Sequence, residues 1–301
     1  MASPSSPLFD GLIASFERSL RARNLSPRTI TAYVTTAESF GMFCLERGFP
    51  ADLGDLKRKH IEEFILDQLD RFTASTAATR FRCLQQFFRF AAEEDEVSRS
   101  PMDGMKPPAV EEKPVPHLSE DDLRLILKAC DGKSFIERRD TAIVRLFIDG
   151  GLRGGALAGI RLDDLDLDRR EVVVHTKGSK TLTVGFGDKT TLALDRYLRL
   201  RNRHARSSEE WLWVGPKGRL TDSGIAQMLH RRATTAGIGH IHPHQFRHTF
   251  AHRWMAQGGS ESDLQNTVGW NSTQMIARYG ASAKAERARA AADRLALGDS
   301  I

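Results

Sequence analysis

The sequence predicts two domains that are mainly helical, with one small β-hairpin in the second. Two observations predict this fold class. Apolar residues recur at spacings of three and four over most of the chain, as they do on the buried face of a helix. The segment from Ser98 to Leu118 interrupts this pattern and holds five of the eleven prolines, which predicts a linker. We therefore expect a first domain over residues 1–100, a linker over 101–117 and a second domain over 118–301.

The first domain is predicted to contain about four helices. Four runs in it show the helical spacing of apolar residues, and short polar breaks separate them. These runs are LFDGLIASFERSLRARN, TITAYVTTAESFGMFCLERG, HIEEFILDQLDRF and TAATRFRCLQQFFRFAAEE.

The second domain is predicted to be helical around one hairpin. Ser119 with Asp122 three residues later is a capping-box pattern, so a helix should begin there with EDDLRLILKAC. The strands EVVVHT (171–176) and TLTVGF (181–186) are joined by the polar turn KGSK, which puts Lys177 at a hairpin tip. Further predicted helices are FIERRDTAIVRLFIDGG, DKTTLALDRYLRLRNRHAR, SGIAQMLHRRATTAG, the stretch from Pro243 to Gln257, and the Ala-rich tail SAKAERARAAADRLAL.

The composition suits a polyanionic partner. The chain has 301 residues, with 44 Lys and Arg against 39 Asp and Glu and a formal charge of +5. Cys44, Cys83 and Cys130 are widely scattered, so we expect neither a disulfide framework nor a paired-cysteine metal site. No basic and apolar leader begins the sequence, and no stretch has the roughly 18 apolar residues of a membrane span. We expect a soluble, cytoplasmic protein.

The stretch HPHQFRHTFAHRW, residues 242–254, is the most unusual part of the sequence. On a helix that begins near Pro243, His244, Arg247 and His248 share one face. His248 and a second histidine four residues later could chelate zinc. However, residues 223–260 contain no Asp or Glu, and the two arginines of the stretch would repel a cation. The pattern favours an anion site over a metal site, and ordinary helix histidines are the third interpretation.

The same stretch resembles the H-x-x-R-H box of the tyrosine recombinase (phage integrase) family, and other boxes of that family occur in the expected order. The boxes are DGGLRGGALAGIRLDDLDL with Arg153, HTKGSKTLTV with Lys177, HPHQFRHTFAHRW with His244 and Arg247, and TVGWNSTQMIARYG with Trp270 and Tyr279. Near the start, NLSPRTITAY is similar to the family's helical, SAM-like core-binding domain. The layout resembles the short Xer-like members, which have no additional arm-binding domain.

The resemblance implies a site-specific DNA recombinase or integrase. Such an enzyme cleaves and rejoins DNA through a 3′-phosphotyrosyl intermediate and a Holliday junction, with no metal and no other cofactor. The implied catalytic roles are Tyr279 as nucleophile, Arg153 and Arg247 as ligands of the nonbridging phosphate oxygens, His244 in proton transfer from the tyrosine, Lys177 as proton donor to the 5′ oxygen, and Trp270 as a hydrogen-bond donor.

The resemblance also implies partners. These are a double-stranded DNA recombination site and, on synapsed DNA, a homotetramer in which the two domains of each protomer form a C-shaped clamp. The tail helix beyond Tyr279 would contact a neighbouring protomer. An accessory DNA-bending protein or a partner recombinase is a further candidate, and the protein would be associated with the nucleoid.

Three positions depart from the family's pattern. Ala156 stands where the family usually has Glu or Asp, three residues after the first arginine. The hairpin has Leu182 and Gly185 where relatives often have Arg and Pro. A cleavage-poor DNA-binding relative is therefore the alternative function, and a metal-dependent hydrolase is a remote one. Taken singly, each site residue also has an ordinary structural interpretation, such as a solvated loop arginine or a packed ring.

The run RYLRLRNRHAR, residues 196–206, contains no acidic residue. It predicts either a solvated helix face or a surface that follows DNA phosphates. In a DNA enzyme, we favour the second interpretation.

Overall fold

The computed structural model describes residues 8–111, 116–176, 180–270, 289 and 292–296. The chain folds into two compact units, Met1–Lys113 and Pro114–Ile301. Both units are mainly helical, and the second also contains small antiparallel sheets, so the predicted fold class is confirmed. None of the helices in these ranges combines the length and apolarity needed to cross a bilayer.

The first unit has four α-helices within residues 8–111, in agreement with the predicted number of about four. They are α1 (Asp10–Ala22), α2 (Pro27–Arg47), α3 (Arg58–Arg71) and α4 (Ala74–Glu93), with a short 3-10 turn at Leu53–Asp55. Phenylalanines fill the core between them. The Phe40 ring, for example, lies 5.2 Å from Phe64 and 5.6 Å from Phe88. Each ring buried in this way stabilises the unit by roughly 1.5–3 kcal/mol.

The second unit has seven α-helices between residues 120 and 268. They are α5 (Glu120–Ala129), α6 (Phe135–Gly150), α7 (Gly154–Ala158), α8 (Asp188–Arg201), α9 (Asp222–Ala236), α10 (Pro243–Ala256) and α11 (Glu261–Val268). The predicted capping box at the start of α5 is present, since Ser119 Oγ accepts from the Asp122 N–H and the Asp122 carboxylate accepts from the Ser119 N–H. Of the predicted tail helix, residues 289 and 292–296 are described; residues 289 and 292–295 are helical, and Ala296, with a φ of 37°, is not.

The predicted hairpin is one part of a three-stranded sheet. Strands β1 (Leu165–Asp166), β2 (Glu171–Thr176) and β3 (Lys180–Gly185) are antiparallel in the order β1-β2-β3. Val172 pairs with Val184, and both are buried. A second hairpin joins β4 (Val214–Gly215) to β5 (Gly218–Arg219). The sequence did not predict β1, β4 or β5, because two residues are too few to show an alternating pattern.

Helix α6 is the centre of the second unit and leads to the site. Its buried face includes Ile143 and Phe147, and the Phe147 ring stacks on Phe246 of α10 at 5.3 Å. The helix ends at Gly151, where φ is 55°. A Cβ at this position would lie 2.6 Å from the ring of Phe250, so the turn needs glycine for its backbone angle and for close packing. The chain then turns into α7.

Helix α10 is held against the start of the second unit. Pro243 is its first residue, and the Gln245 side chain accepts from the N–H of His242 over 2.7 Å. Thr249 is buried, and its hydroxyl accepts from the Leu118 N–H over 2.8 Å. Because this bond joins residues 131 positions apart, it restrains α10 relative to the segment before α5.

Candidate active site

Arg153 lies between the end of α6 and the start of α7. It is the N-cap residue of α7, and its side chain is exposed. The next residue, Gly154, is buried, and a Cβ there would lie 2.2 Å from Asp222 Oδ1 and 3.2 Å from Pro243 Cβ. Glycine at 154 therefore permits the first turns of α9 and α10 to approach the start of α7. Although two glycines weaken its start, α7 forms beside Arg153.

Arg247 lies on α10 and is 2% exposed. Its Nη1 donates to the carbonyl oxygen of Gly151 over 3.0 Å, and its Nη2 donates to that of Val268 over 2.5 Å. Val268 is the last residue of α11, where backbone oxygens lack partners within the helix and the helix dipole is negative, and Gly151 is the residue that caps the end of α6. The guanidinium therefore joins two helix ends. Among the described residues, no acceptor lies within hydrogen-bond distance of the buried Arg247 Nε.

The pKa of Arg247 reflects this environment. Burial lowers the pKa of Arg247 to about 9, and the positive charge of Arg153 contributes to the decrease. Since this value is above 7, the guanidinium stays charged at neutral pH. The effect of Arg153 also shows that the two arginines lie close enough to repel each other.

His244 lies one turn before Arg247 on α10. Although part of the ring is exposed, desolvation of the rest lowers the pKa of His244, and the charges of Arg247 and Arg153 lower it further. The neutral form is therefore favoured at pH 7. Its ring lies 4.3 Å from that of His248, which confirms that these two residues share a face of the helix.

Together, Arg153, His244 and Arg247 form an electropositive cluster. No carboxylate of the described ranges lies within ion-pair distance of their side chains, although the unit contains many acidic residues elsewhere. Two cations beside a neutral imidazole can bind an oxyanion and accept a proton near it.

Trp270 follows Gly269, the residue that caps the end of α11. It is 5% exposed and packs in a small core with Ala251, Met255 and Leu264. Its ring lies 5.2 Å from Arg247 Cζ, which places an aromatic face beside the buried guanidinium. Trp270 therefore lies at the edge of the cluster of Arg153, His244 and Arg247.

Lys177 and Tyr279, the other two predicted site residues, lie outside the described residues. The strands that flank Lys177 are described, and β3 approaches the end of α11, since a Cβ at Gly269 would lie 3.9 Å from Leu182 Cδ2. The apolar side chain of Leu182 therefore lies near Gly269, the residue before Trp270.

Some features of the site were not found by sequence reasoning. It did not identify the carbonyls of Gly151 and Val268 as partners of Arg247, nor Asp222 as a carboxylate beside α7, because each of these contacts joins segments that are distant in sequence. Ala156 is half-buried and packs against the core of the second unit. In α10, Phe246 is buried, whereas Phe250 and Trp254 are only partly buried.

The arrangement of the histidines bears on the metal interpretation. His248 contacts the ring of His244, and His252 stacks on His117 with ring centroids 4.2 Å apart. Within the described ranges, no three His, Cys, Asp or Glu side chains are grouped so that they could hold a metal ion. The pair at i and i+4 is therefore not part of a larger ligand set in this part of the chain.

Comparisons with known proteins match both units. The phage integrase family matches residues 116–286, and the N-terminal SAM-like domain of phage integrases matches residues 12–96. Tyrosine recombinase XerC of Stutzerimonas stutzeri is 31% identical over 263 residues, which cover 86% of each chain. Tyrosine recombinase XerC of Azotobacter vinelandii is 31% identical over 252 residues, which cover 82% of this chain and 83% of that protein.

Solved structures share the fold. The XerH site-specific recombinase bound to palindromic difH substrate superposes with a TM-score of 0.76 and 17% identity, covering 93% of this chain and 84% of that one. The lambda integrase tetramer bound to a Holliday junction gives a TM-score of 0.71 at 17% identity, covering 90% and 76%. At these identities, the likeness establishes the fold alone.

Proposed function

The chain belongs to the phage integrase family of tyrosine recombinases, and from this premise we propose that Arg153 and Arg247 hold the phosphate at which it cuts DNA. It is a tyrosine site-specific recombinase. Nothing in the comparisons supports a metal-dependent hydrolase.

The observation that carries the proposal is the hydrogen bonding of Arg247. Both terminal nitrogens are bonded to helix-end carbonyls, and the buried Nε–H has no acceptor among the described residues. A buried donor without an acceptor costs about 1–3 kcal/mol, so an arriving oxygen would recover that free energy. A nonbridging phosphate oxygen supplies such an acceptor, and it carries more charge in the transition state than in the ground state. Arg153, exposed and close by, would bind the second oxygen.

The proposed reaction takes place at the phosphate that Arg153 and Arg247 hold. The hydroxyl oxygen of Tyr279 attacks the phosphorus and the bond to the 5′ oxygen breaks, leaving a 3′-phosphotyrosyl ester and a free 5′ hydroxyl. Neutral His244 accepts the tyrosine proton, and its lowered pKa keeps it able to do so at pH 7. Lys177 donates a proton to the departing 5′ oxygen, and the Trp270 indole N–H adds a hydrogen bond beside Arg247. Rejoining reverses these steps, and the reaction needs neither metal nor ATP.

We propose double-stranded DNA as the substrate and a homotetramer on synapsed sites as the active assembly. The DNA-bound XerH structure and the lambda integrase tetramer on a Holliday junction support this assignment by their shared fold. In the same way, we assign residues 1–100 to core binding, 101–117 to the linker and 118–301 to catalysis. The two family matches, which leave residues 97–115 between them, support this division.

Ala156 is the observation that favours a second candidate, a DNA-binding relative that cleaves poorly. The methyl group at this position packs against the core, where the family usually presents an acid. The two candidates differ in whether a covalent adduct forms on DNA that is bound.

The experiment that tests the proposed function is covalent trapping on nicked duplexes built from the DNA flanking the gene. The protein is incubated in EDTA and analysed on denaturing gels, beside Tyr279→Phe as control. We expect an adduct with the parent and none with the control. Binding of a correct site without an adduct would support the cleavage-poor candidate, and Ala156→Glu would then be expected to restore the adduct. An adduct with Tyr279→Phe would refute the assignment of the nucleophile.

A further inference from the structure

A basic groove lies between α6 and α8, separate from the cluster of Arg153, His244 and Arg247. Two adjoining cavities of about 570 and 490 Å³ form it, and they share Arg138 and Arg196 in their walls. The α6–α8 groove, as we call it, is lined by Arg138 and Arg145 on α6 and by Lys189, Arg196, Arg199 and Arg203 on or just after α8.

The two walls of the α6–α8 groove run antiparallel. At one end the Asp149 carboxylate accepts from the Gly187 N–H over 2.9 Å, and at the other the Phe135 ring stacks on His204 at 4.2 Å. The groove therefore begins near the end of α6 that leads to Arg153 and runs away from it. From Arg138 to the end of α6 is about 18 Å along the helix axis, at 1.5 Å per residue. A group bound at the far end is thus well removed from the catalytic cluster.

The cations on each wall are regularly spaced. Arg138 and Arg145 are seven residues apart, and Lys189, Arg196 and Arg203 repeat the same interval. Seven residues are two helical turns, so Arg138 and Arg145 on α6, and likewise Lys189 and Arg196 on α8, lie on one face of their helix and about 10 Å apart along its axis, and Arg203 follows just after the end of α8. That distance is close to the rise of three nucleotide steps along the axis of a DNA duplex, at about 3.4 Å for each step.

The charge of the α6–α8 groove is poorly neutralised by the protein. Among the described residues, Arg138, Arg145, Arg196 and Arg203 have no carboxylate within ion-pair distance, whereas Arg199 pairs with Asp195 over 2.8 Å. Asp131 is the one carboxylate in the described lining, and it accepts from the Gly132 N–H. Facing rows of like charge repel each other, so the groove favours a bound polyanion.

One arginine of the basic run, Arg201, has a structural role and does not line the groove. Arg201 lies within the same basic run but is 0% exposed, and it donates to the carbonyl oxygens of Ser207, Glu209, Trp211 and Leu212. Arg196, Arg199 and Arg203 lie on the exposed side of the same segment. The basic run therefore consists of one structural arginine and a face that is available to a ligand.

We propose that the α6–α8 groove binds the sugar-phosphate backbone of duplex DNA at phosphates other than the one that is cut. The proposal rests on the proposed function, because it takes DNA as the substrate. Arginine guanidiniums bind phosphate oxygens in pairs, and contacts of this kind position DNA without reading its sequence. An acidic protein segment fits less well, because protein interfaces are anchored by aromatic and large apolar side chains. In the described lining, Leu192 is the one exposed large apolar residue, and no aromatic is present.

The test is the salt dependence of binding to a mixed-sequence 40-base-pair duplex, measured by fluorescence anisotropy. The groove variant is Arg196→Ala with Arg203→Ala, and the control is Arg124→Ala with Arg169→Ala. The control removes the same charge at exposed arginines that pair with Glu120, Asp121 and Glu171. We expect the slope of log K against log salt to become shallower by about 1.8 in the groove variant, at roughly 0.9 per lost phosphate contact. The control should retain the parent slope.

Three results would overturn the proposal. An unchanged slope in the groove variant would show that these arginines do not contact DNA. An equal decrease in the salt slope in the groove variant and in the control would assign the effect to net charge alone. If the groove variant bound a polyglutamate peptide more weakly than the parent does but bound the duplex equally well, the groove would be assigned to an acidic protein segment. Because this measurement does not require cleavage, it can fail or succeed independently of covalent trapping by the parent protein.

Discussion

Replacing Arg247 by lysine separates the structural role of its guanidinium from its proposed role in catalysis. The guanidinium bonds the carbonyl oxygens of Gly151 and Val268 at once. A lysine ammonium is a compact charge that can reach one of them, so one charged hydrogen bond to a buried oxygen is lost. Such a bond contributes about 1.5–3 kcal/mol. We therefore expect Arg247→Lys to lower the free energy of unfolding of the second unit by about 2 kcal/mol.

Urea unfolding followed by tryptophan fluorescence measures this loss. The four tryptophans all lie in the second unit, at positions 211, 213, 254 and 270, so the signal reports that unit selectively. With a urea dependence of about 2 kcal/mol per molar, the midpoint should fall by about 1 M.

Arg153→Lys is the matched control for this experiment. Arg153 is exposed and is also predicted to bind phosphate, so its replacement should change the unfolding free energy by no more than about 0.5 kcal/mol. Both lysine variants should lower covalent adduct formation by roughly 10²–10³-fold, as the loss of a transition-state donor does. An Arg247→Lys protein that unfolds at the parent midpoint would refute the bridging role that the structure assigns to Arg247.

Three further predictions concern the residues that position the site. Gly151→Ala should lower the unfolding free energy by about 2–5 kcal/mol, since a left-handed alanine costs roughly 1–2 and crowding of Phe250 adds about 1–3; a urea midpoint equal to the parent's would contradict it. Thr249→Val should cost about 1–3 kcal/mol in the same assay, because the buried Leu118 N–H loses its acceptor, whereas Thr249→Ser should retain most of the stability. Because the pKa of His244 is lowered from 6.5, the rate of adduct formation should fall to half of its plateau value only below pH 6.5; His244→Gln should abolish this decrease, and a parent rate that already halves above pH 7 would count against the assignment.

Most of the helices could be predicted from local sequence, but α11 was not predicted, and α8 ends at Arg201 rather than at Arg206. A helix satisfies most of its backbone hydrogen bonds within itself, so its pattern of apolar residues and its capping residues are local signals. Ser119 and Asp122 form the predicted capping box, and α10 begins at Pro243 as expected. The two-residue strands β1, β4 and β5 could not be predicted, because packing decides where such short strands pair.

The candidate site was likewise predicted in part from the sequence and decided in part by the tertiary structure. The order of the motifs in the sequence identified Arg153, His244 and Arg247, and the absence of Asp and Glu from residues 223–260 indicated an anion rather than a metal. Only the tertiary structure decided which arginine is buried, because burial depends on where the ends of α6 and α11 meet.

The basic run at residues 196–206 shows the same limit. The sequence by itself determined that this segment is positively charged, and it predicted a helix through the whole segment, whereas α8 ends at Arg201. It could not distinguish Arg201, which is buried against four backbone carbonyls, from Arg196 and Arg203, which line a groove. All are arginines on one short segment, and their roles differ because the loop at 202–213 folds over one side of it. The sequence thus determined most of the helices, the β2–β3 hairpin and the chemistry available, and the packing of distant segments decided which side chains support the fold and which face a ligand.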